Sequence, residues 1–278
     1  MYTITEKKAL NNNVTLMKVF APEVAKRALP GQFIIYRIDQ YGERIPLTIA
    51  DTDLDNGTVT IIFQHVGVST KMLAALEVGD SIQDFVGPLG VASNLDGIKK
   101  TCLVGGGVGC ANVYPQAKAL YNTGANVDII AGFRSKDIVI LEDEMRKVSD
   151  NLYITTDDGS YGQKGLVTDM LKALVDADNV YDVVIAIGPV FMMKFVCDLT
   201  KEYGIKTVVS LNPIMIDGIG MCGGCRVTVD GTVKFACVDG PEFDGHLVDF
   251  DELATRNSTY RTQEENHECR IVRSGTST

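Results

Sequence analysis

Asp217, Cys222, Cys225 and Cys237 fall in the pattern Asp-x4-Cys-x2-Cys-x11-Cys. Plant-type [2Fe–2S] clusters are held by Cys-x4-Cys-x2-Cys and a distant fourth cysteine. The spacing therefore fits such a cluster if Asp217 takes the place of the first thiolate. Gly218, Gly220, Gly223 and Gly224 are interleaved with these residues, and they suit a backbone folded tightly around a cluster, where side chains would clash. Structural zinc normally takes four Cys or His ligands, whereas this loop offers three thiolates and one carboxylate. A glycine-rich loop with incidental buried thiols is the alternative without chemistry. The chemistry predicted by the spacing is electron transfer.

Further groups are suited to nucleotides. Gly105, Gly106, Gly107, Val108 and Gly109 follow an apolar strand and open a helix-like stretch. Glycines there let the backbone approach a pyrophosphate, and the helix start supplies free N–H donors. The run is not the strict GxGxxG fingerprint, and a tight strand-to-helix turn reads the same way. Asp158 and Gly159 follow a later strand, and Gly188 and Pro189 another; ligands of open α/β sheets sit beyond such strand ends. In the first part of the chain, Arg44, Pro46, Leu47 and Thr48 lie in the extended segment Arg-Ile-Pro-Leu-Thr. Its guanidinium suits a bidentate grip on phosphate, and its hydroxyl a flavin ring nitrogen. Gly67, Ser69 and Thr70 open a short helix able to face another phosphate. His65 either neighbours a flavin or is structural. Cys110 is either a thiol activated by a helix start or a small packing residue, while Cys102 and Cys197 read as core.

These groups need a scaffold, and the 278-residue chain is long enough for about two domains. Residues 1–97 hold short β-rich runs such as 14–21, 31–38, 45–52, 57–66 and 79–87, separated by Asn, Gly and Pro signals. That rhythm predicts an antiparallel β-barrel with one helix near Ser69–Leu76. From 98 to 212, nearly all-apolar strands alternate with amphipathic helices, which predicts an α/β doubly wound parallel sheet covered on both faces. The cysteine loop region spans 213–245, and 246–278 reads as a polar tail containing Cys269. The seven cysteines are odd in number and clustered, as expected for a metal site in a reducing compartment. A formal net charge of −10 argues against nucleic acid as a partner. The start MYTITEKKAL lacks an apolar signal core, and no apolar run reaches the ~20 residues of a membrane span. A cytoplasmic location is expected.

On these motifs the chain resembles the ferredoxin–NADP reductase superfamily. Arg44–Thr48 is similar to its flavin motif, Gly105–Gly109 to its nucleotide turn, and Gly188-Pro-Val-Phe-Met-Met193 to its C-G-P-x-x-M element. Ile187 stands where many members carry cysteine, so no thiol role carries to that position. Barrel, nucleotide domain and C-terminal cysteine loop, in that order, resemble the electron-transfer subunit of dihydroorotate dehydrogenase B, whose first cluster cysteine matches Asp217. An Asp-plus-three-Cys set resembles instead the small subunit of NADH-dependent reduced ferredoxin:NADP oxidoreductases, the electron-bifurcating transhydrogenases. Gly132–Asp137 and Ala236–Asp244 look like that family too.

The resemblance implies FAD in the barrel, NAD(H) on the second domain and a [2Fe–2S] cluster on Asp217, Cys222, Cys225 and Cys237. It implies Arg44 on FAD phosphate, Thr48 at the isoalloxazine, and Ser69 and Thr70 at the pyrophosphate. Gly105–Gly109, Asp158 and Gly159 would face NAD(H), with Arg134 at its adenosine end. Electrons would pass to or from a larger flavin/iron–sulfur subunit in a heterodimer. A dihydroorotate dehydrogenase partner and a redox-sensing protein without turnover are the rival expectations. Carboxylate oxygen is a harder donor than thiolate, and ligand identity tunes cluster potential. Asp217→Cys is therefore expected to retain a cluster with a shifted midpoint potential; equal potentials in an EPR-monitored redox titration would remove Asp217 from the ligand set.

Overall fold

A computed structural model describes residues 1–260 and Gln263. Its first layer is a seven-stranded antiparallel sheet curled into a barrel: β1 (Tyr2–Asn11), β2 (Val14–Phe20), β3 (Phe33–Arg37), β4 (Ile45–Asp53), β5 (Thr58–Gln64), β6 (Ser81–Ile82) and β7 (Asp84–Leu89). The strand order is β6-β1-β2-β5-β4-β3-β7. Helices α1 (Pro22–Ala25) and α2 (Val68–Ala75) interrupt it. Its interior is filled by Ile4, Met17, Val19, Ile34, Tyr36, Val59, Ile61, Phe63 and Phe85. Val59, Ile61 and Phe63 of β5 alternate into it, while the strand's other face is covered as well, with Ile62 in the core of the parallel sheet. The β4–β5 hairpin turns at Gly57, whose φ of +62° favours glycine, and Asp53 accepts the Asn56 N–H there at 3.0 Å. β1 lies outside the expected strands. Its alternation is masked by Glu6, Lys7 and Lys8, and Ile4 is its one buried residue.

The second layer begins at β8 (Lys100–Gly106) and continues through α3 (Gly109–Asn122), β9 (Asn126–Phe133), α4 (Glu142–Arg146) and β10 (Asn151–Thr156). Then follow β11 (Gln163–Lys164), α5 (Val167–Asp176), β12 (Val183–Ile187), α6 (Val190–Glu202) and β13 (Thr207–Ser210). The sheet order β11-β10-β9-β8-β12-β13 is parallel throughout. Strand period two divides its core cleanly. Val183, Ile185 and Ile187 pack with α3 on one face, while Val184 and Ala186 pack with α5 and α6 on the other. The doubly wound expectation is met.

The cysteine region is woven into this core. After the loop come β14 (Arg226–Val229), β15 (Thr232–Phe235), α7 (Ala236–Asp239), β16 (Glu242–Asp244) and α8 (Phe250–Asn257). The β14–β15 hairpin forms its own two-stranded sheet, bridged at Val229 to Val248, and β16 joins the edge of the parallel sheet, antiparallel to β13. Cys225, Val227, Ala236 and Cys237 share one hydrophobic cluster with Phe33 and Ile35 of the barrel and with Met193 and Val196 of α6. Part of the expected tail is also folded, since α8 buries Phe250 and Leu253. Cys269 and its neighbours lie outside the described residues. Among the described residues, no helix is long and apolar enough to cross a membrane. Leu253 is 1% exposed, so Leu253→Ala should cost about 2–5 kcal/mol in urea denaturation. A loss under about 1 kcal/mol would show that α8 is not docked.

Candidate functional site

Three strand ends meet at the carboxyl edge of the parallel sheet. Gly105 and Gly106 end β8, and Gly107, with φ +57°, turns the chain into α3. The Gly107 N–H donates to Gly132 O on neighbouring β9 at 2.8 Å. Val108 caps α3, and Gly109 begins it so close to β12 that a Cβ there would strike Ile187 O. A Cβ on Gly188 would meet Met192 Cε at 2.7 Å and Gly106 N at 3.1 Å. Pro189 caps α6, and its carbonyl accepts the Met193 N–H at 3.1 Å. Glycine is thus required because two turns pass each other backbone to backbone. The third loop is tied to the β9 end, where Phe133 O accepts the Asp157 N–H and Arg134 O the Asp158 N–H. Asp158 Oδ1 accepts the Ser160 hydroxyl at 2.6 Å and its N–H at 2.9 Å, which hold this exposed carboxyl below the usual range. Gly159 follows with φ +76°. Arg134 is exposed beside it.

Cys110, just inside α3, is wholly buried, and burial pushes its thiol up to about 12. Of its two readings, the packing residue is the one its surroundings match. Cys102 and Cys197 are buried as expected.

On the barrel, Pro46, Leu47 and Thr48 sit on β4 opposite Ile35, Ile34 and Phe33. His65, just past β5, meets Thr15 Oγ1 through Nε2 at 2.9 Å. At the start of α2, the Thr70 hydroxyl accepts the Val66 and Gly67 N–H groups at 3.0 and 3.1 Å, closing its own turn. The Ser69 hydroxyl donates to Glu43 at 2.6 Å. Both hydroxyls expected at a phosphate therefore have protein partners. Arg44 makes a contact that no local pattern announced. Its Nε donates to Ile216 O at 2.7 Å, and Nη2 lies 3.5 Å from Asp217 O. The guanidinium expected to hold phosphate thus also fastens the cysteine loop to the barrel.

Within that loop, Asp217 is the organising group. Its Oδ1 accepts the Ile219 N–H at 3.0 Å, and Oδ2 accepts those of Met221 at 3.0 Å and Cys222 at 2.5 Å. These bonds, Ile219's foremost, hold its carboxyl below the usual range. Gly218, Gly220 and Gly223 have φ of +76°, +82° and +66°, so the chain curls in a sense that side chains disfavour. Gly218 is also pressed on the barrel: a Cβ there would lie 2.6 Å from Ile35 Cδ1 and 2.8 Å from Leu89 Cδ1. Cys225 and Cys237 are buried with sulfurs 3.3 Å apart, while Cys222 is exposed. Burial and the Cys225 thiol push Cys237 up to about 12; a bound metal's charge is what ionises such thiols. Among the described residues, no three His, Cys, Asp or Glu side chains converge on a single-ion site. A donor set of two touching buried thiols, one exposed thiol and an adjacent carboxylate, spread around a glycine-curled loop, suits a two-iron group better than one ion.

The fold and these sites define a reductase-type electron-transfer subunit: flavin-type barrel, nucleotide-type sheet and an iron–sulfur loop. Residues 212–249 match the iron–sulfur cluster binding domain of dihydroorotate dehydrogenase B. The chain is 48% identical over 261 residues to the dihydroorotate dehydrogenase B (NAD(+)) electron transfer subunit homolog of Thermotoga maritima, covering 94% of this chain and 92% of that one. Identity to the dihydroorotate dehydrogenase B electron transfer subunit of Fusobacterium nucleatum is 36%, over 87% and 95% of the two chains. A solved structure of NADH-dependent reduced ferredoxin-NADP oxidoreductase, described for its flavin-based electron bifurcation, superposes with a TM-score of 0.93 at 46% identity, covering 98% of each chain. The chain belongs to the family of dihydroorotate dehydrogenase B electron-transfer subunits and their homologues. Arg44→Ala should speed amide-hydrogen exchange across 216–222 by about tenfold, the scale of losing a charged hydrogen bond. Unchanged exchange there would mean that the barrel does not hold the loop.

Proposed function

We propose that the chain carries electrons between NAD(H) and a larger flavin/iron–sulfur subunit, with FAD and a [2Fe–2S] cluster as its own carriers, in transhydrogenation among ferredoxin, NADP(H) and NAD(H). The observation that carries this reading is the seating of the cysteine loop directly on the barrel, through Arg44–Ile216 and Gly218 against Ile35 and Leu89. Two redox sites that share a wall can exchange electrons without leaving the chain.

Each part of the protein has a positioning task. The first turn of α3, reached through Gly105–Gly109, presents N–H groups and the positive end of the helix to a pyrophosphate. Gly188, Pro189, Asp158 and Gly159 shape the same crevice, and Arg134 stands at its outer rim for the adenosine end. In the barrel, Thr48, with Pro46 and Leu47, lines the flavin ring, His65 flanks it, and the α2 start with Gly67, Ser69 and Thr70 takes the pyrophosphate beside Arg44. Ser69 and Thr70 would exchange their present partners for it, or offer backbone N–H groups. Asp217, Cys222, Cys225 and Cys237 hold the cluster. When bound, the nicotinamide and flavin supply hydride chemistry and the two irons supply one-electron storage. Ile216, Ile219, Met221 and Val238 are exposed around the cysteines, an apolar rim suited to docking a partner chain.

The matched family favours a second reading, in which the partner is a dihydroorotate dehydrogenase catalytic chain. The aspartate at 217, where that family's pattern has cysteine, supports the first. Titrating the anaerobically purified chain with NADH should bleach both flavin bands and a broad iron–sulfur absorption, with steady reduction of an artificial dye. Flavin without the iron–sulfur absorption would reduce the protein to a plain flavin reductase, and a bound cluster without turnover would make it a sensor.

A further inference from the structure

The strand that follows Cys237 is fastened to the barrel exit, to α3 and to the residue after β13. Gly240 O accepts the Val91 N–H of the barrel exit at 2.7 Å, and Pro241 O accepts the Leu211 N–H at 2.9 Å. One residue on, Glu242 Oε1 accepts the Ser93 hydroxyl at 2.6 Å and the Gln116 side-chain amide at 2.9 Å. Ser93 belongs to the exit from the barrel, and its N–H donates to Pro30 O at 2.9 Å. Gln116 is wholly buried on α3. Gly31, at φ +83°, closes over the pair: a Cβ there would strike Ser93 Oγ and lie 2.9 Å from Glu242 Oε1. A barrel turn, the barrel exit, α3 and the sheet edge thus meet at a single carboxylate oxygen.

Burial pushes this carboxyl above the usual range, against the pull of Ser93 and Gln116. Gln116 Oε1 has no protein partner. Such a cluster is a poor source of stability compared with apolar packing. What it supplies is direction, because two donors from different units fix one acceptor. Five residues upstream lies Cys237; α3 begins at the glycine turn, at Gly109, seven residues before Gln116; and Ser93 closely follows β7.

We infer that Glu242 is a positioning residue that sets the placement of the barrel, the nucleotide sheet and the cysteine loop relative to one another. The inference rests on the relay reading above, since only a relay makes that placement matter for transfer. Its chemistry is geometric: hydride transfer falls steeply when the reacting atoms are displaced by about 1 Å.

The test compares the whole chain, carrying its native cofactors, with Glu242→Ala and Glu242→Gln. In Glu242→Ala, amide-hydrogen exchange at Val91 and Leu211 should rise about tenfold. The rate of flavin bleaching by saturating NADH should fall about tenfold, with the half-saturating NADH concentration unchanged within about twofold. Glu242→Gln keeps an acceptor oxygen and should restore both. Faster exchange with an unchanged bleaching rate, or no change in either, overturns the positioning role. Failure of Glu242→Gln to rescue overturns it as well. If Glu242→Ala does not fold, Ser93→Ala removes one donor and should move both readouts in the same direction; no movement overturns the inference. A parent chain that NADH does not bleach would refute the relay instead, and the exchange measurement would still show whether the clamp exists.

Discussion

The hydrogen bond from Arg44 to the carbonyl of Ile216 spans 172 residues of sequence. It joins the segment most suited to flavin to the loop most suited to iron. Around it, Gly218 lies against Ile35 and Leu89 so closely that no side chain fits. A cluster loop placed elsewhere on the surface would keep its donors and lose its wall with the barrel. The remaining architecture can be understood as what holds this contact in place: a barrel on one side, and on the other a sheet whose edge strand, β16, follows closely on Cys237.

The same packing explains why the cysteine region is not a detachable module. Cys225 and Cys237 belong to the hydrophobic cluster that includes Met193 and Val196 of α6 and Phe33 of the barrel. The two sulfurs are in contact and buried, whereas Cys222 and the rim of Ile219 and Met221 face outward. The loop is therefore asymmetric, with Cys225 and Cys237 anchored in the core and Cys222 and Asp217 nearer solvent.

Much of this was legible in the sequence. The parallel sheet showed itself because strands buried on both faces are apolar almost throughout, as in Val183–Ile187. The glycine turns were legible because close backbone approach excludes side chains, and the structure brings Gly106, Gly109 and Gly188 together as that requires. The spacing of Asp217, Cys222, Cys225 and Cys237 singled out the region that matches an iron–sulfur binding domain, and the β14–β15 hairpin returns Cys237 to Cys225. Three things were hidden. β1 was masked by lysines and glutamate on a strand with one buried residue. The pairing of β16 with the sheet edge and the docking of α8 on α6 and β14 were hidden because edge pairing and helix docking leave little periodic signal in three to eight residues. The partners of Arg44 and Glu242 were hidden because contacts over such separations follow from topology, not from local pattern. For Arg44, the acceptors that the structure shows are the Ile216 and Asp217 carbonyls, which no local pattern announces.

The most direct test of the account is low-temperature EPR of the anaerobically purified chain, alone, after reduction by NADH. An electron passed within the chain from the nucleotide site to the cysteine loop predicts an S = 1/2 signal of a reduced two-iron cluster, lost when Cys237 is replaced by Ser. Complete flavin bleaching with no such signal, from protein that contains iron and sulfide, would contradict an internal relay and leave the loop without the function assigned to it.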